Sequence, residues 1–128
     1  MNKFILIVFL IIASNSASAK WLVVGETNNA LHYYEPGTLR KNGNKAKMWE
    51  LTDYIVAKKD SEKEYKSVKM QSEYDCVEYQ HRPIYAVTYS ENMGDGQIIA
   101  NLDGDKNWKP AVPGSVREAL LKIACGKK

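Results

Sequence analysis

Two cysteines, Cys76 and Cys125, stand in a chain whose first nineteen residues read as an export leader, and this pairing limits the fold more than any other feature. Lys3 supplies a positive start, Phe4 to Ile12 an unbroken apolar run, and Ala17-Ser18-Ala19 the small residues a signal peptidase requires. That run is too short to cross a bilayer, which takes about 20 residues. Residues 1–19 are therefore expected to be a signal peptide. Residues 20–128 then form one domain, exported to a periplasm or secreted. The leader has no cysteine to accept a lipid. Export exposes the chain to oxidants, and two cysteines allow a single pairing. Closing a loop of roughly 50 residues removes about 4 kcal/mol of unfolded-chain entropy, comparable with the whole stability of a small domain. A Cys76–Cys125 disulfide is expected, clamping the end of the chain to its body.

The segments between turn signals read as strands. Trp21–Thr27 is rich in β-formers, and Leu31–Glu35 follows a short turn and is closed by Pro36-Gly37. Thr38–Lys41 leads into Asn42-Gly43, a strong hairpin signal in which the pair occupies the centre of the turn. Lys45–Val56 returns as a longer strand whose apolar phase slips between Met48 and Trp49, implying a bulge or burial on both faces. Ala57–Lys63, charged and polar, reads as a loop. Glu64–Glu78 alternates, with Val68, Met70, Tyr74 and Cys76 in the inward phase. Arg82–Ser90 and Gln97–Leu102 follow, with Met93-Gly94-Asp95-Gly96 as the turn between them and Asn101–Pro113 as a packed loop beyond. The end differs in kind. Ser115 and Glu118 form a capping box, Val116, Leu120, Ile123 and Ala124 make a helical stripe, and Gly126 stops it. The expected fold is α+β: a single curved antiparallel sheet of about six strands, with one C-terminal helix packed on a face and held by the disulfide.

These residues, in this order, resemble the surface-adhesin protein E family of Gram-negative bacteria. The resemblance rests on Tyr33-Tyr34, Trp49-x-Leu51, Ser67-Val68-Lys69 ahead of Tyr74-Asp75-Cys76, Met93-Gly94-x-Gly96, Pro113-Gly114-Ser115 and the cysteine-bearing last helix. It covers nearly all of residues 20–128, making them a protein E-like domain. It implies the same sheet and disulfide-tied helix, and a role in adhesion through host matrix proteins such as vitronectin and laminin. A competing expectation follows from the leader: a periplasmic, envelope-associated protein of unknown partner with no adhesive role.

Composition and motifs point the same way, toward binding and away from catalysis. A formal net charge of +3 is too mild for a nucleic-acid protein. His32 and His81 are the only histidines, and no G-x-S-x-G, H-E-x-x-H or phosphate-cradling loop is present. Both read as ordinary strand or turn residues. A catalytic reading requires a deep pocket around one of them. No cofactor and no metal are expected: two cysteines and two scattered histidines are too few ligands, and the Asn101-Asp103-Asp105 run reads as a polar turn. Eight tyrosines and three tryptophans give large contact area with polar tips, the type of side chain enriched at hot spots. Most of Trp21, Tyr34, Trp49 and Tyr74 are expected to be structural, and some of Tyr33, Tyr65, Tyr85 and Tyr89 to be candidates for presentation to a partner. Arg40, Lys41, Lys45 and Lys47, clustered around the Asn42-Gly43 hairpin, are candidates for docking acidic partners, including glycosaminoglycan or acidic host proteins.

Overall fold

The computed structural model describes residues 20–127; the signal peptide expected over 1–19 lies outside them. The chain runs β1 (Leu22–Thr27), β2 (Ala30–Asn42), β3 (Lys45–Asp60), β4 (Lys63–Asp75), β5 (Gln80–Tyr89), β6 (Ile98–Asp103), a two-residue β7 (Lys109–Pro110) and α1 (Val116–Cys125). Strands β1 to β6 form one curved antiparallel meander in sequential order, and β7 pairs beside the start of β5. Each expected strand is present, and the helix occupies the expected residues.

The periodicity of β3 and β4 assigns the two faces. Ala46, Met48 and Tyr74 are buried against Leu120, Leu121 and Ala124 of the helix, with Ala111 beside them. Residues one step out of phase, Lys47, Trp49, Leu51 and Lys69, therefore point to the opposite, open face. The phase slip at Met48–Trp49 is burial on both faces: Met48 is sealed under the helix, while Leu51 is sealed on the open side. Ser115 caps the helix by accepting from the Glu118 amide at 3.1 Å, and Glu118 reaches back to the Gly114 amide at 3.2 Å. Gly126 ends the helix in the left-handed conformation at φ 70°. Cys76, just beyond β4, and Cys125, the last helical residue, are bonded, with sulfurs 2.05 Å apart and a separation of 49 residues.

Three local expectations are corrected. Pro36-Gly37 does not end a strand. The β2–β3 register jumps between Glu35 and Arg40, a bulge across which Thr38 accepts from the Trp49 amide at 2.9 Å and keeps β2 continuous. The β2–β3 hairpin pairs Asn42 with Lys45, so Gly43-Asn44, not Asn42-Gly43, occupies the turn, with Gly43 at φ 59°. A one-residue slip would carry Ala46 and Met48 out of the helix interface, so the core decides the register. Ala57–Lys63 is not a loop. Strands β3 and β4 continue as a two-stranded ribbon through Lys58↔Tyr65, Lys59↔Glu64 and Asp60↔Lys63, turning at Ser61 and Glu62, with φ of 46° and 73°. Opposite charges face each other in two of those pairs, which supports a ribbon whose turn carries no glycine signal.

Candidate functional site

The open face carries the aromatic residues that the helix does not use. One row of neighbours across it runs Val23, Tyr33, Leu51, Lys69, Val87, Asn101; the next runs Glu35, Trp49, Gln71, Tyr85, Asp103. Trp49 meets Tyr85 edge to face with ring centres 6.4 Å apart, and the Tyr85 hydroxyl donates to Asn101 Oδ1 at 2.9 Å. Lys69 Nζ lies 5.0 Å from the ring centre of Tyr89 and 5.8 Å from that of Trp21. An ammonium over two ring faces is attracted by their quadrupoles and restrained in position. Gly94, at φ 71°, passes close under the Lys69 stem, where a Cβ would strike Lys69 Cε. Trp21, Glu35, Thr38, Trp49, Lys69, Val87 and Tyr89 together line a groove of about 300 Å³. Among the described residues Lys69 makes no ion pair, so the groove holds a cation available to a partner carboxylate.

The candidates named from the sequence divide accordingly. Tyr33, Tyr85 and Tyr89 lie on the open face in neighbouring rows. Tyr65 lies elsewhere, on the β3–β4 ribbon, edge to face with Tyr54 at 5.9 Å. Tyr34 and Tyr74 are structural, packed at the helix interface. Trp21 and Trp49 instead wall the open groove, so two of these four, not most, pack at the helix interface. Alternation reveals that Trp49 and Tyr74 fall in different phases, but not which phase the helix will cover. Of the basic cluster, Arg40, Lys45 and Lys47 share the open face, Arg40 directly opposite Lys47 and Lys45 opposite Asn42. Lys41 pairs with the buried Ala46 and therefore faces the helix side, where its ammonium lies near Gly126. There it complements the negative end of the helix dipole. Lys127 is also engaged, donating to the Cys76 carbonyl at 2.8 Å.

The helix side holds a second feature that periodicity could not show. Arg117, in the first helical turn, donates through Nη1 to Glu50 Oε2 at 2.6 Å, Tyr74 Oη at 3.0 Å and Ser72 Oγ at 3.2 Å. Tyr74 Oη in turn donates to Glu50 Oε1, and Ser72 Oγ to Glu50 Oε2 at 3.2 Å. Burial opposes the Arg117 charge, but the Glu50 carboxylate and these hydrogen bonds outweigh it and hold the guanidinium more firmly protonated. Burial, followed by the Glu50 charge, pushes the Tyr74 hydroxyl well above its usual range. Beside this network a cleft of about 420 Å³ is lined by His32, Thr27, Thr52, Glu26 and the start of the helix. His32 Nε2 lies 3.2 Å from Thr27 Oγ1 and Nδ1 lies 3.4 Å from Thr52 Oγ1. Burial, then the Arg117 charge, lowers the pKa of His32. Thr27 directs its hydroxyl to Asn29 Oδ1 and the Ala30 carbonyl, and among the described residues no carboxylate hydrogen-bonds His32 to orient it as a base. Among the described residues, no group of three or more histidine, cysteine or acidic side chains is placed to hold a metal.

His81 provides a test of how closely this side of the sheet is packed. Burial, followed by the charges of Arg117 and Lys109, lowers its pKa from 6.5 to about 4, with Asp105 opposing. Between those values the unfolded chain binds a proton that the folded protein refuses, so this histidine removes stability as pH falls from 6.5 toward 4. His81→Gln is expected to shrink the drop in melting temperature between pH 7 and pH 4.5, followed by circular dichroism. Equal drops in the two proteins would show that His81 is solvated.

A curved meander, closed on one face by a tied helix and presenting aromatic residues around cations on the other, defines a small recognition domain of the adhesin kind. The family model for surface-adhesin protein E matches residues 21–126, and the chain belongs to that family. Its fold is that of Haemophilus influenzae protein E. One solved structure of that protein matches with a TM-score of 0.63 at 15% identity, covering 85% of this chain and 86% of that one. A second crystal form matches with a TM-score of 0.62 at 13% identity, covering 80% and 91%. No curated protein matches the chain. No helix among the described residues is long and apolar enough to cross a membrane.

Proposed function

We propose that this chain is an exported, non-enzymatic binding domain that docks host matrix proteins, of which vitronectin and laminin are the first to test, on the open face of its sheet. The observation that carries this reading is the groove of Trp21, Trp49 and Tyr89 around Lys69, which makes no ion pair among the described residues. Large rings with few rotatable bonds lose little entropy on binding, and a restrained cation adds charge selectivity at the centre. Residues 1–19 serve as the export signal in this reading.

The wild-type domain is expected to bind immobilised vitronectin or laminin saturably, with an affinity that falls as salt rises. Trp21→Ala is expected to weaken binding at least about tenfold, and Lys69→Met to reduce the salt dependence, with melting curves confirming that both fold. Binding no better than that of a size-matched basic control protein would overturn the proposal. Protein confined to the osmotic-shock fraction, and absent from surface and medium, would instead support the envelope-associated reading.

A further inference from the structure

The cleft of about 420 Å³ on the helix side is rooted beside the buried ion pair, and that pair leaves part of its chemistry unused. Arg117 donates only through Nη1, to Glu50, Tyr74 and Ser72, and its Nε and Nη2 make no hydrogen bond among the described residues. No buried side-chain nitrogen or oxygen there lacks a partner, so these two donors reach solvent. The Arg117 side chain is 27% exposed, and it lines the cleft. One part of the planar guanidinium is thus fixed in the core, while an edge with two parallel N–H donors stays open.

The other wall of the cleft holds His32 between two threonines. Thr27 directs its one hydroxyl hydrogen to Asn29 Oδ1 and the Ala30 carbonyl, so toward His32 it can only accept, and Nε2 carries a hydrogen. In the neutral ring Nδ1 is then the acceptor, and Thr52 donates to it. A protonated ring would donate to both threonines and release the Thr52 hydrogen toward the cleft. The charges that face His32 set the sign of what the cleft accepts. Arg117 on the helix disfavours a proton there more than Glu50 on β3 favours one, so the local field is positive. Glu26 of β1 is one residue out of step with Gly25 and Thr27, which share the His32 side, and it therefore directs its carboxylate to the other face.

We propose that this cleft binds a small carboxylate, held by the open Nε–Nη2 edge of Arg117 and by the Thr52 hydroxyl. Two parallel N–H donors match the two oxygens of a carboxylate. Glu50 already neutralises much of the guanidinium charge, so the site suits one negative charge rather than a phosphate dianion. Its volume admits a molecule of metabolite size and not a folded surface. As the anion docks, His32 takes up a proton, donates to both threonine oxygens, and frees Thr52 to donate to the ligand. Affinity therefore rises as pH falls through the His32 titration, until the ligand's own carboxyl protonates. The site lies across the sheet from the aromatic groove, and neither depends on the other.

The test titrates the disulfide-bonded domain spanning residues 20–128 with benzoate and follows the two histidine rings by NMR, His81→Gln assigning them. Wild type is expected to show a saturable shift of the His32 signals and a His32 titration midpoint raised by at least about one pH unit. Benzoate is expected to bind at least about threefold more tightly at pH 5.5 than at pH 7.5. Benzamide, its neutral counterpart, is expected to bind at least about tenfold more weakly than benzoate. Thr52→Val keeps the side chain's shape and is expected to weaken benzoate at least about fivefold, with a shallower pH dependence. Arg117→Lys keeps a charge opposite Glu50 without the fork and is expected to weaken it at least about tenfold. Melting curves confirm that each variant folds, and Thr52→Val decides alone where Arg117→Lys does not. Lys58→Ser, on the distant ribbon, is expected to change binding by less than about twofold. A tripeptide that binds only with its C terminus unblocked would make a chain end the source of the carboxylate; failure of that tripeptide beside saturable benzoate would make it a free acid. Equal binding of benzamide and benzoate, an unmoved His32 midpoint, or a Thr52→Val protein as tight as wild type would overturn the proposal.

Discussion

Cys125→Ser is expected to lower the melting temperature by at least about 15 °C, the equivalent of about 4 kcal/mol for a domain of this size. The bond joins residues 49 apart, and its loss frees a long loop in the unfolded chain. It also releases a ten-residue helix, too short to persist alone in water, from its anchor on the sheet. Leu120, Leu121 and Ala124 remain apolar, so the helix still docks, but with its last turn untied. The open face lies on the other side of the sheet. Below its new melting temperature the variant is therefore expected to keep the binding of the wild type. Calorimetry measures the first expectation, and titration with a thiol reagent shows whether the unreduced wild type exposes any thiol. A variant melting within a few degrees of wild type would mean that packing alone holds the helix.

Arg117→Met is expected to cost about 3–5 kcal/mol in urea unfolding, the range for breaking a buried ion pair from one side. Arginine in the first turn of a helix sits at the positive end of the dipole, where a cation is disfavoured. Glu50, only 5% exposed, compensates for that position. Removing the guanidinium leaves a buried carboxylate with two hydroxyls, Tyr74 and Ser72, and no charge opposite it. Glu50→Gln combined with Arg117→Met is expected to recover most of the loss, because the neutral amide keeps hydrogen bonds without an unpaired charge. A single variant as stable as wild type would show that water reaches Glu50.

The legible parts of the sequence were those where one local signal decides the structure. Ser115, Glu118 and Gly126 bound the helix as they stand in the chain. Alternation in β4 separated Tyr74 from Lys69, and the strand order followed from successive turns. The site was legible only in part. Tyr33, Tyr85 and Tyr89 reached the open face as candidates, but nothing in the chain marks Trp21 and Trp49 as walls of its groove, and Lys41 clusters in sequence with cations it does not face. The Ser61-Glu62 turn carried no signal, since positive φ there is imposed by the pairing on either side.

By itself the sequence determined the single cysteine pairing, the meander and its capped helix, because each rests on neighbours in the chain or on simple counting. Which face of the sheet the helix covers was decided only in three dimensions. That choice depends on burying Met48 and Tyr74 while pairing Arg117 with Glu50, 67 positions away. Once made, it turned the tryptophans outward and set Arg117 with His32 around a cleft that no stretch of sequence contains.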